Sequence, residues 1–190
     1  MIVIDNAIGL NLQDEVDELV KGFRINWLYN SSTSYAEGTS IHDYAFFHVL
    51  YTDGKPVSEL FQPFFMIFLS CLDSAGQRLN ELYRLRINMT LAAHERTIHE
   101  PHVDSSVPHQ TGIFYLEDSD GPTTIYNEKY DPNSKLAIKD HMLKTNLTVM
   151  NNVDPVKYRF ISYNGLHYHN GCTPLQHKRR ILLNCNYSVK

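Results

Sequence analysis

A chain of 190 residues with 43% hydrophobic and 20% charged residues has room for one buried core, and its formal charge of −4 argues against a general binder of duplex nucleic acid. Three cysteines, Cys71, Cys172 and Cys185, are odd in number and lack CxxC spacing, which argues against a disulfide framework and a zinc ribbon and predicts reduced thiols packed as small hydrophobes. The longest apolar run, 61–72, is interrupted by Gln62, Pro63 and Ser70 and falls short of the ~18–20 residues of a membrane span; with no basic, apolar leader in view, the expectation is a soluble protein of the reducing cytoplasm.

Residues 1–8 read as a short extended segment. Leu12, Val16, Leu19, Val20 and Phe23 then recur at helical spacing, with Asn11 as N-cap, Asp14 in the first turn and Gly22 near the end. From Ile25 to Thr52, aromatic and β-branched residues broken by Asn30-Ser31-Ser32-Thr33-Ser34 predict strands joined by a polar loop. A second, more apolar helix is expected between Pro56 and about Asn80, with Pro63 near its start and Gly76 near its end.

After Glu81 the character changes. Short β-rich runs follow one another at 85–92, 112–116, 123–126, 158–163 and 181–187, separated by turn chemistry such as Glu117-Asp118-Ser119-Asp120-Gly121-Pro122. The runs at 112–116 and 123–126 read as a hairpin, and 131–152 as an insertion between core strands that either closes over a substrate or is a solvated connection. Helices followed by many short strands predict a mainly β (α+β) chain. One domain is expected over 1–190, with support helices and edge strands in 1–80 and a jelly-roll core in 81–190.

Ten histidines, most of them in the second half, raise the expectation of a metal site. His102-Val103-Asp104 is the first candidate: on a strand, residues two apart share a face, so an imidazole and a carboxylate reach one ion. Alone this triplet is a weak signal. A second histidine after a later strand, His167 or His169, completes the two-histidine, one-carboxylate set that leaves open positions on Fe(II). Arg179-Arg180 opens the last strand, and a guanidinium suits the far carboxylate of a dicarboxylate. Arg180 shares a face with Leu182, Asn184 and Asn186, the more polar side, so it is placed toward the cosubstrate with Arg179 as the alternative. His99 and His109 are expected to line the pocket or face solvent, and His42, His48, His94, His141 and His177 are assigned no function.

These residues resemble the Fe(II)/2-oxoglutarate-dependent oxygenases, particularly the short phage and bacterial members related to prolyl 4-hydroxylases. The resemblance covers about the last 110 residues: Arg84-Leu-Arg-Ile-Asn88, His102-Val-Asp104, Tyr115-Leu116, 120–126, 155–165, His169-Asn-Gly171 and Arg180-Ile-Leu-Leu-Asn184. It implies a double-stranded β-helix core, Fe(II) held by His102, Asp104 and His169, and 2-oxoglutarate as cosubstrate with its far carboxylate on Arg180. Tyr115 and Asn88 would be further cosubstrate partners. The implied reaction consumes O2, releases succinate and CO2, and hydroxylates a C–H bond. The family's "His, any residue, Gly" pattern favours His169 over His167. Animal collagen-type prolyl hydroxylases present Lys where this chain presents Arg180, so a proline substrate does not follow; a protein residue or a small molecule remains the expectation. Two other classes fit parts of the pattern: a cupin-like metal isomerase or hydrolase without 2-oxoglutarate, for which Arg180 has no task, and a non-catalytic binding jelly roll.

Overall fold

The computed structural model describes residues 1–22, 24–34 and 41–190. In chain order they form β1 (Ile2–Ile4), α1 (Leu10–Lys21), β2 (Leu28–Asn30), β3 (Ala45–Thr52), β4 (Lys55–Pro56), α2 (Phe61–Ser74), β5 (Leu79–Leu91), β6 (Gln110–Tyr115), β7 (Thr123–Lys129), α3 (Ile138–Leu143), β8 (Val149–Val153), β9 (Phe160–Asn164), β10 (His167–Asn170) and β11 (Arg179–Val189). Two antiparallel sheets result. The larger runs β1-β9-β6-β11-β5-β3-β2 with β4 added to β3, and the smaller runs β10-β7-β8. Residues 97–102 extend the smaller sheet as an irregular fourth rung. Gly171 O accepts from His99 N at 3.0 Å, Thr97 O accepts from Thr173 N at 3.0 Å, and His102 and His169 exchange both backbone bonds at 2.9 Å. The architecture is the mainly β jelly roll that the order of elements predicts.

Alternation along β11 builds two layers from one strand. Ile181, Leu183, Cys185 and Tyr187 face a core shared with Leu85 and Ile87 of β5, with Val16, Leu19 and Val20 of α1, and with Phe64, Ile67, Phe68, Cys71 and Leu72 of α2. The opposite face, Arg180, Leu182, Asn184 and Asn186, is equally buried but turns between the sheets. The helices cover one side of the large sheet and leave the other for the site. Cys71, Cys172 and Cys185 are all free and buried, as small hydrophobes would be.

Several local expectations need correction. α1 begins at Leu10 with Gly9 as its N-cap, so Asn11 lies inside the helix and no acidic residue sits in the first turn. Gly22 is the C-cap, and Phe23 lies outside the described residues. α2 ends at Ser74; Gly76, just beyond, takes φ +63°, a left-handed conformation that glycine adopts without strain. The 112–126 hairpin does not form. β6 pairs with β9 and β11 in the large sheet, while β7 pairs with β8 and β10 in the small one. The turn at 117–122 therefore carries the chain from one sheet to the other. Nor is 131–152 a plain connection. It contains α3, whose Ile138 and Met142 pack with Val103, Tyr130, Leu166 and Tyr168, and most of β8, an edge of the small sheet. Among the described residues, no helix is long and apolar enough to cross a membrane.

α1 is tied to the loop before β9 by a small polar cluster. Asp17 accepts from Tyr158 Oη at 2.8 Å and from Lys157 Nζ at 2.6 Å, with Lys21 Nζ at 3.2 Å. The bond from Lys157 is the main reason the Asp17 carboxyl is lowered to about 2. A carboxylate lowered on folding stabilises above its unfolded range, near 4, and loses that contribution as pH falls through its folded value. Asp17→Asn should therefore cost about 1 kcal/mol at pH 7, and urea titrations at a series of pH values should show the gap to the parent closing between pH ~4 and pH ~2. Leu183→Ala, which empties a fully buried position between sheet and helices, should cost about 3 kcal/mol in the same assay.

Candidate metal centre

His102 and His169 meet as directly opposed residues of an antiparallel bridge. Opposed residues place their side chains on one face, and here the two imidazole centroids are 4.7 Å apart. The expectation that His102 and Asp104 lie on a regular strand is not met. Apart from the isolated bridge at His102, residues 101–105 are irregular, and His102 is positioned by its partner on β10 instead. Asp104 nevertheless turns to the same place. The ligand atoms of His102, Asp104 and His169 all lie within 4.8 Å of one another. Among the described residues, one other group, His42, His94 and Glu95, brings three such atoms equally close, but it is largely solvent-exposed.

The hydrogen bonding around the triad sets its chemistry. His102 Nδ1 meets Glu100 O at 3.1 Å, and His169 Nδ1 meets His167 O at 3.2 Å. A carbonyl oxygen only accepts, so both Nδ1 atoms carry the proton and both Nε2 lone pairs are left for the centre. Burial, then the neighbouring His102, lowers His169 to about 4; burial also lowers His102, against the pull of Asp104. Both rings are neutral at pH 7, with no proton to displace from Nε2.

Burial alone would raise the Asp104 carboxyl, but Arg84, then His169 and His102, hold it well below the usual carboxylate range. Arg84 Nη2 donates to Oδ1 at 2.6 Å, and Asn186 Nδ2 donates to Oδ2 at 2.9 Å, with Asn184 Nδ2 at 3.4 Å. The carboxylate is thus charged and clamped from two strands. This donor set, two neutral imidazoles and one ionised carboxylate, fits a divalent first-row metal with open coordination positions.

A cavity extends from the triad between the sheets, walled by Asn88 and Thr90 of β5, by Leu182 and Asn184 of β11, and by Thr123, with Arg180 at its far end. Arg180 donates through Nη2 to Thr123 Oγ1 at 2.5 Å, while its Nε is buried without a partner. Among the described residues, no carboxylate forms an ion pair with it. Gly171 comes up against this guanidinium: a β-carbon there would lie 3.3 Å from Arg180 Nη1. Arg179, by contrast, is engaged by Glu117 through two bonds, 2.8 and 2.6 Å.

The other sequence candidates divide. His167 stands outside the triad, with Nδ1 on Tyr126 O at 2.8 Å and a bulge between it and His169. Asn88 lines the cavity, and its Oδ1 is buried without a partner. Tyr115 does not line it; its hydroxyl meets Thr123 Oγ1 at 2.7 Å, behind Arg180, whose Cζ is 5.7 Å from the Tyr115 ring. His99 does line the cavity, with Nδ1 at 2.9 Å from Asp43 Oδ1, while His109, also buried, lines a second cavity on the other side of Arg84 and Asp104. Sequence reasoning assigned no role to Asp43, Arg86, Thr123 or Asn186 and none to Arg84 as a clamp. A signal existed: Arg84, Arg86, Asn88 and Thr90 alternate with Leu85, Ile87, Met89 and Leu91, a polar face on a strand too apolar to lie at the surface.

The chain is similar over 98% of its length to a 2OG-Fe(II) oxygenase family oxidoreductase from Burkholderia pseudomallei, at TM-score 0.67 and 14% identity, covering 84% of that chain. It has the 2OG-Fe(II) oxygenase fold. Also similar are the epimerase SnoN in complex with Fe3+, alpha ketoglutarate and nogalamycin RO (TM-score 0.60, 12% identity, 98% and 78% of the two chains) and a Trichoplax adhaerens prolyl hydroxylase in complex with a hypoxia inducible factor peptide (0.56, 13%, 98% and 83%). No protein-family model and no curated protein matches the sequence.

If Arg84 holds Asp104 in its ionised, oriented form, Arg84→Met should lower the stability of the metal-free protein by about 2 kcal/mol in urea unfolding. The same variant should weaken Zn2+ binding roughly tenfold or more by calorimetry.

Proposed function

We propose that the chain is an Fe(II)- and 2-oxoglutarate-dependent oxygenase that hydroxylates a C–H bond of its substrate. The observation that carries this reading is a conjunction: three metal-ligating atoms within 4.8 Å, and in the same cavity a buried guanidinium with no carboxylate of its own among the described residues. In this reading His102 Nε2, His169 Nε2 and one oxygen of Asp104 hold Fe(II). Bound together, iron, 2-oxoglutarate and O2 would supply the oxidising power, with succinate and CO2 as co-products.

The chain's own residues bind, orient and exclude water. Arg180 pairs with the far carboxylate of 2-oxoglutarate, and Thr123 steers the guanidinium through its bond to Nη2. Tyr115 acts behind them, holding Thr123 from the other side. Asn88 lends the cavity wall a carboxamide whose oxygen has no protein partner. Gly171 leaves room for the Arg180 guanidinium, which a β-carbon would crowd at 3.3 Å, a physical reason for glycine two residues after the ligand His169. A metal isomerase or hydrolase with no dicarboxylate would leave Arg180 buried without a counter-charge, an arrangement with a high desolvation penalty.

Anaerobically purified protein is expected to bind one Fe(II) and to convert 2-oxoglutarate slowly to succinate without added substrate. The double variant His102→Ala/Asp104→Ala should lose both properties, and full turnover in that variant would sink the reading. Arg180→Met should keep the metal and weaken 2-oxoglutarate binding to the Zn2+-loaded protein roughly 100-fold, as removal of a charge-assisted pair does. Thermal protection by 2-oxoglutarate gives a second readout.

A further inference from the structure

The cavity-facing side of β5 presents two arginines near the triad, and their surroundings differ. Arg84 is matched by Asp104 at 2.6 Å. Arg86 has no such match. Among the described residues its guanidinium makes no ion pair or hydrogen bond, its Nε is buried without a partner, and its Cζ lies 5.5 Å from the ring centre of Phe47. Arg86 lines the same cavity as the triad and Arg180.

The register locates it. Arg86 stands opposite Asn184 on β11, the residue whose amide reaches Asp104, while Arg180 stands opposite Thr90. Four residues of strand, about 13 Å of backbone, separate these rungs. Arg86 therefore rises beside the triad, on the side of β3, where Ala45, Phe46 and Phe47 and, beyond them, Asn30, Ser32 and Thr33 close the cavity.

The formal charges of a divalent metal, a dicarboxylate, Arg84, Arg180, Asp104 and Asp43 sum to zero. Asp43 is occupied by Thr33, Ser32 and His99. Arg180 is the cation suited to the dicarboxylate, and Arg86 leaves one positive charge over, with an aromatic ring at its back and no hydrogen bond from its η nitrogens to the described residues. Arg86 is partly buried, its Nε fully so, and holding such a cation without an anion is unfavourable; burial, with Arg84 close by, lowers its guanidinium.

We propose that Arg86 is the substrate-recognition residue of this site and that the substrate carries an oxyanion, a carboxylate or a phosphate, which Arg86 binds while Phe47 backs the guanidinium. The proposal deepens the oxygenase reading and rests on it for where the reacting carbon lies, but the oxyanion site itself can be measured without turnover. It narrows the substrate to an anionic small molecule or an anionic side chain, against an uncharged proline ring.

The test uses the full chain loaded with Zn2+ and saturated with N-oxalylglycine, so that Arg180 is occupied. Acetate and inorganic phosphate are then titrated and followed by calorimetry and by the NMR signals of the arginine side chains. The parent should bind one equivalent of one of the two anions in the millimolar range, the preferred anion naming the class. Arg86→Gln should weaken that binding tenfold or more, and Arg86→Lys should retain part of it, with circular dichroism confirming that both variants fold. Anion binding that is absent in the parent, or unchanged in Arg86→Gln, overturns the proposal. So does loss of N-oxalylglycine binding in Arg86→Gln, since Arg86 would then serve the cosubstrate. Failure of the parent to bind N-oxalylglycine counts against the oxygenase reading instead. In that case the same titration on metal-free Arg180→Met, against Arg180→Met/Arg86→Gln, still decides whether Arg86 holds an oxyanion.

Discussion

The two backbone hydrogen bonds exchanged by His102 and His169 are the constraint on which the site depends. They join an irregular segment to the small sheet, and because opposed residues of an antiparallel pair point the same way, they bring two imidazoles side by side from positions 67 residues apart. Each ring then uses the carbonyl two residues before it to hold its Nδ1 proton. Orientation and tautomer are thus both set by backbone atoms, which no change of rotamer disturbs. Asp104, two residues beyond His102, follows from the same anchor and is finished by Arg84, Asn184 and Asn186.

The larger design is one strand pair with two characters. β5 and β11 each bury an apolar face against α1 and α2 and a polar face between the sheets. The first face supplies the hydrophobic stabilisation. The second places Arg84, Arg86, Asn88, Arg180, Asn184 and Asn186 in an interior where charge interactions are strong and unmatched charge is costly. Most of that polarity is satisfied internally: Asp104 by Arg84 and the asparagines, Asp43 by His99 and two hydroxyls. Among the described residues the guanidiniums of Arg180 and Arg86 have no carboxylate partner, and the proposed cosubstrate and substrate would supply one to each.

Legibility in the sequence followed the range of the interactions involved. The polar and apolar faces of β11, the glycine that ends α2 and the buried state of the cysteines are local properties, and period-two or period-3.6 patterns report them directly. The segment at 112–126 was misread because a Gly-Pro turn between two β-rich runs looks the same whether the chain folds back on itself or crosses to a facing sheet. His102-Val103-Asp104 came together for a different reason than strand alternation, and α1 begins at Leu10 with Gly9 as an N-cap that makes no side-chain hydrogen bond.

By itself, then, the sequence determined the two N-terminal helices, the run of short strands that makes the chain mainly β, and a short list of candidate metal-ligating and carboxylate-binding side chains, since each follows from patterns within a few residues of one another. Only the tertiary structure puts a bulge between His167 and His169, sets His169 opposite His102, and pairs Arg179 with Glu117. It alone left Arg86 without a partner among the described residues. Whether a buried charge is paired depends on which distant strands lie beside it, and sheet order and register are set by the packing of the whole chain.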